Sequence, residues 1–217
     1  MKKICFLIVI VVSLSACSYT GYLEKDFHNV GKPLEKKINL SAAILNTQEL
    51  RDFRVQEYTG GRDFTFYFNP AFSNALVKEL KNIFLDAALV DTSADLLRYD
   101  IQIVPVINYT YKEGTAWTGQ YRYEFTVALS ARDAKTAAPV EDFKNTQEVI
   151  ISPSAANNAL GFLTGLSLFL LSPITMPAIT QEGGNNARRI LEENMSRSIK
   201  ALSFQIANST KICNYKN

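Results

Sequence analysis

Histidine is almost absent from this chain of 217 residues, which contains only His28. Histidine is the common proton carrier near neutral pH and a frequent metal ligand, so histidine-based catalysis and multi-histidine metal sites are hard to build here. The Gly-x-Ser-x-Gly elbow of serine hydrolases is missing as well. Gly60-Gly61 and Gly183-Gly184 are too sparse for a phosphate-binding loop, and we predict that they are turn residues. We therefore expect a protein without enzymatic activity, cofactor or metal.

A net charge of one sign is also missing. The chain carries 23 lysine and arginine residues and 21 aspartate and glutamate residues. Lys2 and Lys3 account for the excess, and the charges balance once the first 16 residues are left out. Because a protein that binds nucleic acid needs a concentration of basic side chains, we exclude nucleic acid as a partner.

The first seventeen residues have the form of an export signal. Lys2 and Lys3 precede an apolar run from Ile4 to Val12, and Leu14-Ser15-Ala16-Cys17 follows. This arrangement resembles the lipobox of bacterial lipoproteins. The alternative is an uncleaved membrane anchor, but a spanning helix needs roughly 20 apolar residues and this run is shorter.

The lipobox resemblance implies several properties. The signal peptide would comprise residues 1–16, with cleavage between Ala16 and Cys17. Cys17 would then carry the acyl chains, such as palmitate, and would attach the protein to the membrane. The next residue is Ser18, and similar lipoproteins without aspartate at this position are passed to the outer membrane. We therefore expect a lipid-anchored protein of the outer membrane that faces the periplasm.

The remaining chain divides into three parts. Residues 17–37 show neither helical nor strand periodicity, and we predict a lipidated N-terminus followed by a tether. A single domain is expected over residues 38–208, with a C-terminal tail at 209–217. Cys5 leaves with the signal and Cys17 takes lipid, so Cys213 has no intramolecular disulfide partner. It is either an intermolecular bridge or an unpaired thiol on the tail.

Hydrophobic periodicity predicts an α+β domain. Alternating residues indicate strands, and apolar residues at steps of three and four indicate helices. The helix that begins at Asn69-Pro70 continues to about Val90 in this interpretation. The predicted order is strands at 38–44 and 64–68, a helix at 70–90, strands at 99–111, 121–129 and 143–151, and a helix at 186–208. We expect a two-layer sandwich in which two helices pack on one face of a mainly antiparallel sheet.

One segment breaks the pattern, because 33 residues between Glu148 and Glu182 carry no charge. Its apolar part spans 159–179. It could be a buried core helix, a membrane-contacting segment or an oligomer contact. The candidate contact residues for the last two are Phe162, Leu163, Leu166, Leu168, Phe169 and Leu170.

Aromatic side chains are concentrated near one predicted hairpin, and they are Tyr109, Tyr111, Trp117, Tyr121 and Tyr123. A hairpin could bring them to one end of the sheet, where they could bind a lipid, a glycan or a protein. Packing across the strands within the core would use the same residues. The sequence leaves both interpretations open.

The element order over residues 38–208 resembles that of small periplasmic lipoproteins that serve envelope machines. These include the lipoprotein partner in lipopolysaccharide assembly and the auxiliary lipoproteins of ABC-type lipid transporters. The resemblance implies an accessory or assembly factor of a cell-envelope complex, with an envelope protein or a second copy as partner, and it transfers no functional residue. The alternative is a membrane-anchored module that binds a lipid or a glycan.

Overall fold

The computed structural model describes residues 18–24, 31, 33–59, 62–115, 120–152 and 172–215. The elements of these residues are, in chain order, β1 (Ser18–Tyr22), β2 (Ile38–Leu45), α1 (Gln48–Asp52), β3 (Arg54–Thr59), β4 (Arg62–Tyr67), α2 (Ala71–Ile83), β5 (Phe84–Val90), α3 (Ser93–Leu96), β6 (Ile101–Thr115), β7 (Gln120–Asp133), β8 (Pro139–Ile151), α4 (Ser172–Ala207) and α5 (Thr210–Cys213).

The strands form two sheets. The larger sheet has the order β5-β2-β6-β7-β8, in which β5, β2 and β6 are parallel and β6, β7 and β8 are antiparallel. The smaller sheet has the order β1-β4-β3, with β1 parallel to β4 and β3 antiparallel to it. The predicted α+β class is confirmed, although the chain forms a second sheet that the sequence did not indicate.

Two amphipathic helices supply much of the core. The apolar stripe of α2, which includes Phe72, Leu76 and Leu80, is fully buried. The apolar stripe of α4 is buried as well, and it consists of Ala187, Leu191, Met195, Ile199, Leu202 and Ile206. Among the described helices, none is long and apolar enough to span a membrane.

The predicted helix at 70–90 is too long. It ends at Ile83, where the N–H of Phe84 still donates to the carbonyl oxygen of Leu80, and the chain continues as β5 beside β2. The buried residues of β5 are Phe84, Ala87 and Val90, which are spaced by three. Because this spacing also fits a helix, periodicity could not detect the change to a strand.

The start of α2 also differs from the prediction. The helix begins at Ala71, and no side chain caps its backbone N–H groups. The Asn69 side chain instead accepts a hydrogen bond from the Ser73 hydroxyl at 2.6 Å and donates to the Leu50 carbonyl at 2.5 Å. Asn69 therefore joins α2 to α1 rather than capping α2.

The last long helix begins earlier than predicted. It covers 36 residues from Ser172, so that Gly183 and Gly184 lie within α4 and the prediction that they form a turn is wrong. Gly184 instead permits close packing, because a Cβ atom there would lie 2.3 Å from the Tyr19 ring. The glycine serves a contact between β1 and α4.

The tether predicted after Cys17 is packed against the domain in two places. Residues 18–22 form β1, which pairs with β4. Farther on, both carboxylate oxygens of buried Glu79 accept the Gly31 N–H at 3.2 Å, and Asn82 Nδ2 donates to the Gly31 carbonyl at 3.0 Å. These contacts hold position 31 against α2.

The expected tail is packed as well. Ser209 caps α5 by accepting the N–H of Ile212 at 3.0 Å, and the Ile212 side chain is fully buried. Beyond α5, the Tyr215 hydroxyl donates to the Asp133 carboxylate. Cys213 is an exposed free thiol on α5.

Candidate functional site: a groove beside an open strand edge

An apolar groove of about 250 Å³ lies between α1 and the first half of β6. Its lining is mainly apolar and includes Leu45, Leu50 and Phe53, together with the polar residues Thr47 and Glu49. A concave apolar surface with few polar groups is the usual form of a binding site. None of these residues is among the site residues predicted from the sequence.

Local interactions hold the groove wall in place. The Thr47 hydroxyl oxygen caps α1 by accepting the N–H of Leu50 at 3.2 Å. The Phe53 ring meets the buried Phe68 ring edge-on, with 5.1 Å between the ring centroids. The cap thus fixes the start of α1, and the aromatic pair attaches the residue that follows α1 to the core.

The β6 edge beside this groove is largely open. β2 pairs with β6 only at residues 101–103, although β6 continues to Thr115. Within the part of the chain that the structure describes, residues 104–115 have a strand partner on the β7 side alone. Pro105, which has no N–H to donate, lies two residues beyond the last β2 pair.

Hydrogen bonds between Ser41 of β2 and Asp100 fix the start of β6. The Asp100 carboxylate accepts hydrogen bonds from the Ser41 N–H at 2.8 Å and from the Ser41 hydroxyl at 2.9 Å. The Ser41 hydroxyl oxygen in turn accepts the Asp100 N–H at 3.1 Å. These bonds hold β6 against β2 where their pairing starts, and the open edge begins after residue 103.

The open edge is electrically neutral. No residue from Ile101 to Tyr111 is charged. The charges that follow are matched, because Lys112 contacts Glu124 at 2.9 Å and Arg122 contacts Glu113 at 3.1 Å. These exposed pairs add little stability, but they leave no excess charge on the strand.

This arrangement can bind an extended polypeptide. Unpaired backbone groups at a strand edge accept an added strand, and a neighbouring groove can take its alternate side chains. Val106, which is 47% exposed, lies at both the edge and the groove. Among the described residues, no cluster of histidine, cysteine, aspartate or glutamate could hold a metal ion.

The structure brings most of the expected aromatic cluster together. Tyr109 and Tyr123 stack with 4.6 Å between their centroids, and Tyr111 meets Tyr123 edge-on at 5.6 Å. Tyr123 is buried and Tyr121 half-buried, whereas Tyr111 is 52% exposed. Trp117 lies outside the described residues. Cross-strand packing accounts for the buried rings, and a ligand role for the cluster stays a prediction.

The remaining predicted site residues also lie outside the described residues. They are Ala16 and Cys17 at the lipobox, and Phe162, Leu163, Leu166, Leu168, Phe169 and Leu170 in the apolar segment. The structure describes the chain again from Ser18, directly after the lipobox. The described residues on either side of the apolar segment are Ser152 and the first residue of α4. Their roles stay predictions.

A second group of polar contacts joins the chain after Ser18 to α4. The Tyr19 hydroxyl donates to Asn185 Oδ1 at 2.9 Å, and burial raises the pKa of this hydroxyl. The Glu24 N–H donates to Glu192 Oε1 at 2.8 Å, and burial raises the pKa of Glu192. Arg188 forms an ion pair with Glu24 at 3.0 Å. These contacts anchor the N-terminal strand to α4.

Two sequence signals could have indicated the groove. Thr47-Gln48-Glu49 combines a capping residue with an acid in the first turn, which is typical of a helix start. The second signal is Pro105, which predicts an edge or a bulge at that point of β6. The pairing of β2 with only the first residues of β6 could not be inferred, because strand order is a long-range property.

No protein-family model matches the chain, and no curated protein matches it. Among solved structures, it is similar to protein XCC0632 from Xanthomonas campestris, of the DUF330 family, with 10% identity, coverage of 82% of this chain and 98% of that chain, and a TM-score of 0.40. It is also similar to a minor lipoprotein from Acinetobacter baumannii, with 8% identity, coverage of 69% of this chain and 95% of that chain, and a TM-score of 0.32. A third similar structure is the PelC dodecamer from Paraburkholderia phytofirmans, with 13% identity, coverage of 68% of this chain and 94% of that chain, and a TM-score of 0.29.

Proposed function

We propose that this chain is a non-enzymatic lipoprotein of the outer membrane that acts as an accessory or assembly factor of a cell-envelope complex. In this proposal Cys17 carries the lipid and the periplasmic domain binds an envelope protein. The groove beside β6 is the site for an extended, uncharged segment of that protein.

The observation that carries the proposal is the position of β1. The lipobox ends at Cys17, and the next residue already belongs to a strand whose second residue, Tyr19, is 7% exposed. A folded domain that starts directly after Cys17 is consistent with cleavage before this residue. The mature chain would then consist of the lipidated cysteine followed at once by the first strand of the domain.

The partner-binding role is supported by the open edge of β6. An edge of this length without net charge is a site at which proteins pair with other chains. The neutral character of residues 101–111 favours an uncharged segment over a charged one. The open groove supplies apolar contacts that backbone pairing alone does not.

A second candidate function is a module that binds a lipid or a glycan. The same groove favours it, because about 250 Å³ lined mainly by apolar side chains could hold part of an acyl chain. Tyr111, the exposed ring of the aromatic cluster, would then offer a surface for a sugar ring.

Two experiments test these proposals. Cells that express the native chain or Cys17→Ser are labelled with radioactive palmitate and fractionated; we expect label in the outer membrane for the native chain and none for the variant. Equal labelling of both would refute lipidation at Cys17. Purification in mild detergent, followed by mass spectrometry, then distinguishes the functions, because a stoichiometric protein supports the accessory role and a bound lipid or glycan alone supports the second candidate.

A further inference from the structure

Several parts of the chain meet at one end of the domain. The Asn186 side chain donates to the Ser152 carbonyl at 3.0 Å, and Tyr19 contacts the adjacent positions 184 and 185. Ser18 and Ser152 therefore both lie near the same turn of α4. Tyr121 pairs with Ile151, so the β6–β7 hairpin also points to this end.

The lipid anchor, if it is Cys17, is held close to this end. Only Ser18 separates Cys17 from Tyr19, and a chain extends by at most about 3.6 Å per residue. The Cα of Cys17 is then at most about 7 Å from the Cα of Tyr19. Because the headgroup region on each side of the hydrocarbon core is only roughly 5 to 8 Å thick, the anchor leaves no room for a spacer between bilayer and domain.

The beginning of α4 projects in the same direction. α4 runs antiparallel to β8, since Ser198 contacts Asn145 while Asn186 contacts Ser152. The helical residues before Asn186 therefore extend past the end of β8. Residues 172–181 add about 15 Å of helix, and their sequence contains no charge. An uncharged helix end beside a lipid anchor can enter the headgroup layer without the cost of burying an ion.

We infer that the end of the domain formed by Ser18, Ser152 and the first turns of α4 rests on the bilayer surface, with these turns of α4 among the lipid headgroups. The inference rests on the proposed lipidation of Cys17. It gives the domain a fixed orientation, in which the turn between β7 and β8 and the C-terminal half of α4 face the periplasm.

Fluorescence quenching from the membrane tests this orientation. The lipidated full chain with Cys213→Ser receives a single cysteine at one of four exposed positions and an environment-sensitive dye. Gln181→Cys and Asp63→Cys lie at the inferred membrane end, since Asp63 pairs with Ser18. Lys200→Cys on α4 and Lys135→Cys after β7 are the matched distant positions. The proteins are reconstituted in phosphatidylethanolamine and phosphatidylglycerol vesicles that contain headgroup-nitroxide phosphatidylcholine.

We expect the dyes at positions 181 and 63 to lose most of their emission in nitroxide vesicles, and those at 200 and 135 to keep theirs. Equal quenching at all four positions, or stronger quenching at the distant pair, would overturn the orientation. Vesicle flotation and acylation are measured on the same samples. A protein that is not acylated refutes the proposed function, whereas an acylated, floating protein without quenching at 181 and 63 refutes only this inference.

Discussion

The ring of Tyr19 occupies the space that a side chain at Gly184 would fill. A Cβ at position 184 would lie 2.3 to 2.5 Å from three ring carbons, well inside van der Waals contact. The helix backbone and the first strand thus fit together only because position 184 is glycine. This contact joins the second residue after the lipobox to α4, the longest of the described helices.

Gly184→Ala should therefore weaken the attachment of β1 to α4. Inserting a methyl group into a packed contact typically costs about 1 to 3 kcal/mol, and a Cβ only 2.3 Å from ring carbons should put this cost above the gain of about 1 kcal/mol from alanine in a helix. Urea unfolding of the domain measures the change. Gly183→Ala is the control, because it makes the same helical gain one position away.

A double-mutant cycle identifies the cause. In a Tyr19→Ala background the ring is absent, and Gly184→Ala should then be neutral or stabilising by up to about 1 kcal/mol. If Gly184→Ala costs the same in both backgrounds, the Tyr19 contact is not the reason for the glycine.

Leu80→Ala should lower the free energy of unfolding by about 2 to 5 kcal/mol. Leu80 is completely buried in the centre of the α2 stripe, and its truncation removes apolar contacts and leaves a cavity. Leu85→Ala is the control, because Leu85 follows in β5 but is 60% exposed. Similar effects of the two substitutions in urea unfolding would show that the α2 stripe does not pack in the core.

The contact between Asp133 and Tyr215 predicts a loss of stability in acid. The hydrogen bond from Tyr215, followed by those from Thr136 and the Lys135 N–H, holds the pKa of Asp133 well below its ordinary 3.8. A carboxylate whose pKa is lower in the folded protein stabilises it fully at neutral pH, and this contribution is lost as the pH falls below about 4. Asp133→Asn should thus be destabilising at pH 7 and approach the native chain in acid.

The same contact raises the pKa of Tyr215, by burial and by the neighbouring carboxylate, to about 12. Tyr215→Phe removes the donated hydrogen bond, so the pKa of Asp133 should rise towards 3.8 in a carboxyl-carbon NMR titration. Tyr22→Phe, at a tyrosine that is 61% exposed, is the control. An unchanged titration of Asp133 in Tyr215→Phe would show that Tyr215 does not contact it in solution.

Val106→Lys should remove the partner from the purified complex without unfolding the domain. Val106 is 47% exposed, so a lysine can reach solvent and the stability should change by less than about 0.5 kcal/mol. A charge at an open strand edge prevents strand addition, which is how natural edges avoid unwanted pairing. Co-purification with quantitative mass spectrometry gives the result.

The matched variant for that experiment is Phe204→Lys. Phe204 is an exposed apolar residue on α4, with 72% of its surface accessible, and it does not line the groove. Its substitution should leave the partner in place. Partner retention in Val106→Lys, or equal losses in both variants, would contradict a specific role of the β6 edge.

Local pattern determined much of the secondary structure. Alternation of apolar residues in β2 and β7 identified strands, and the steps of three and four in α2 and α4 identified helices, because each pattern places apolar side chains on one face. The lipobox is likewise a linear signal, since a peptidase reads consecutive residues. These features together predicted the α+β class and the interpretation as a lipoprotein.

Only the tertiary structure decided the rest, because it depends on contacts between residues far apart in the chain. The residues that follow Cys17 form β1 because they pair with β4, which lies more than 40 residues later in the chain. The Gly183-Gly184 pair is typical of a turn, but both residues lie within α4. The Tyr19 ring packs against position 184, where only glycine leaves room for it. The open edge of β6 exists because β2 ends at Leu45 while β6 continues, and no local pattern in either strand contains that difference in length.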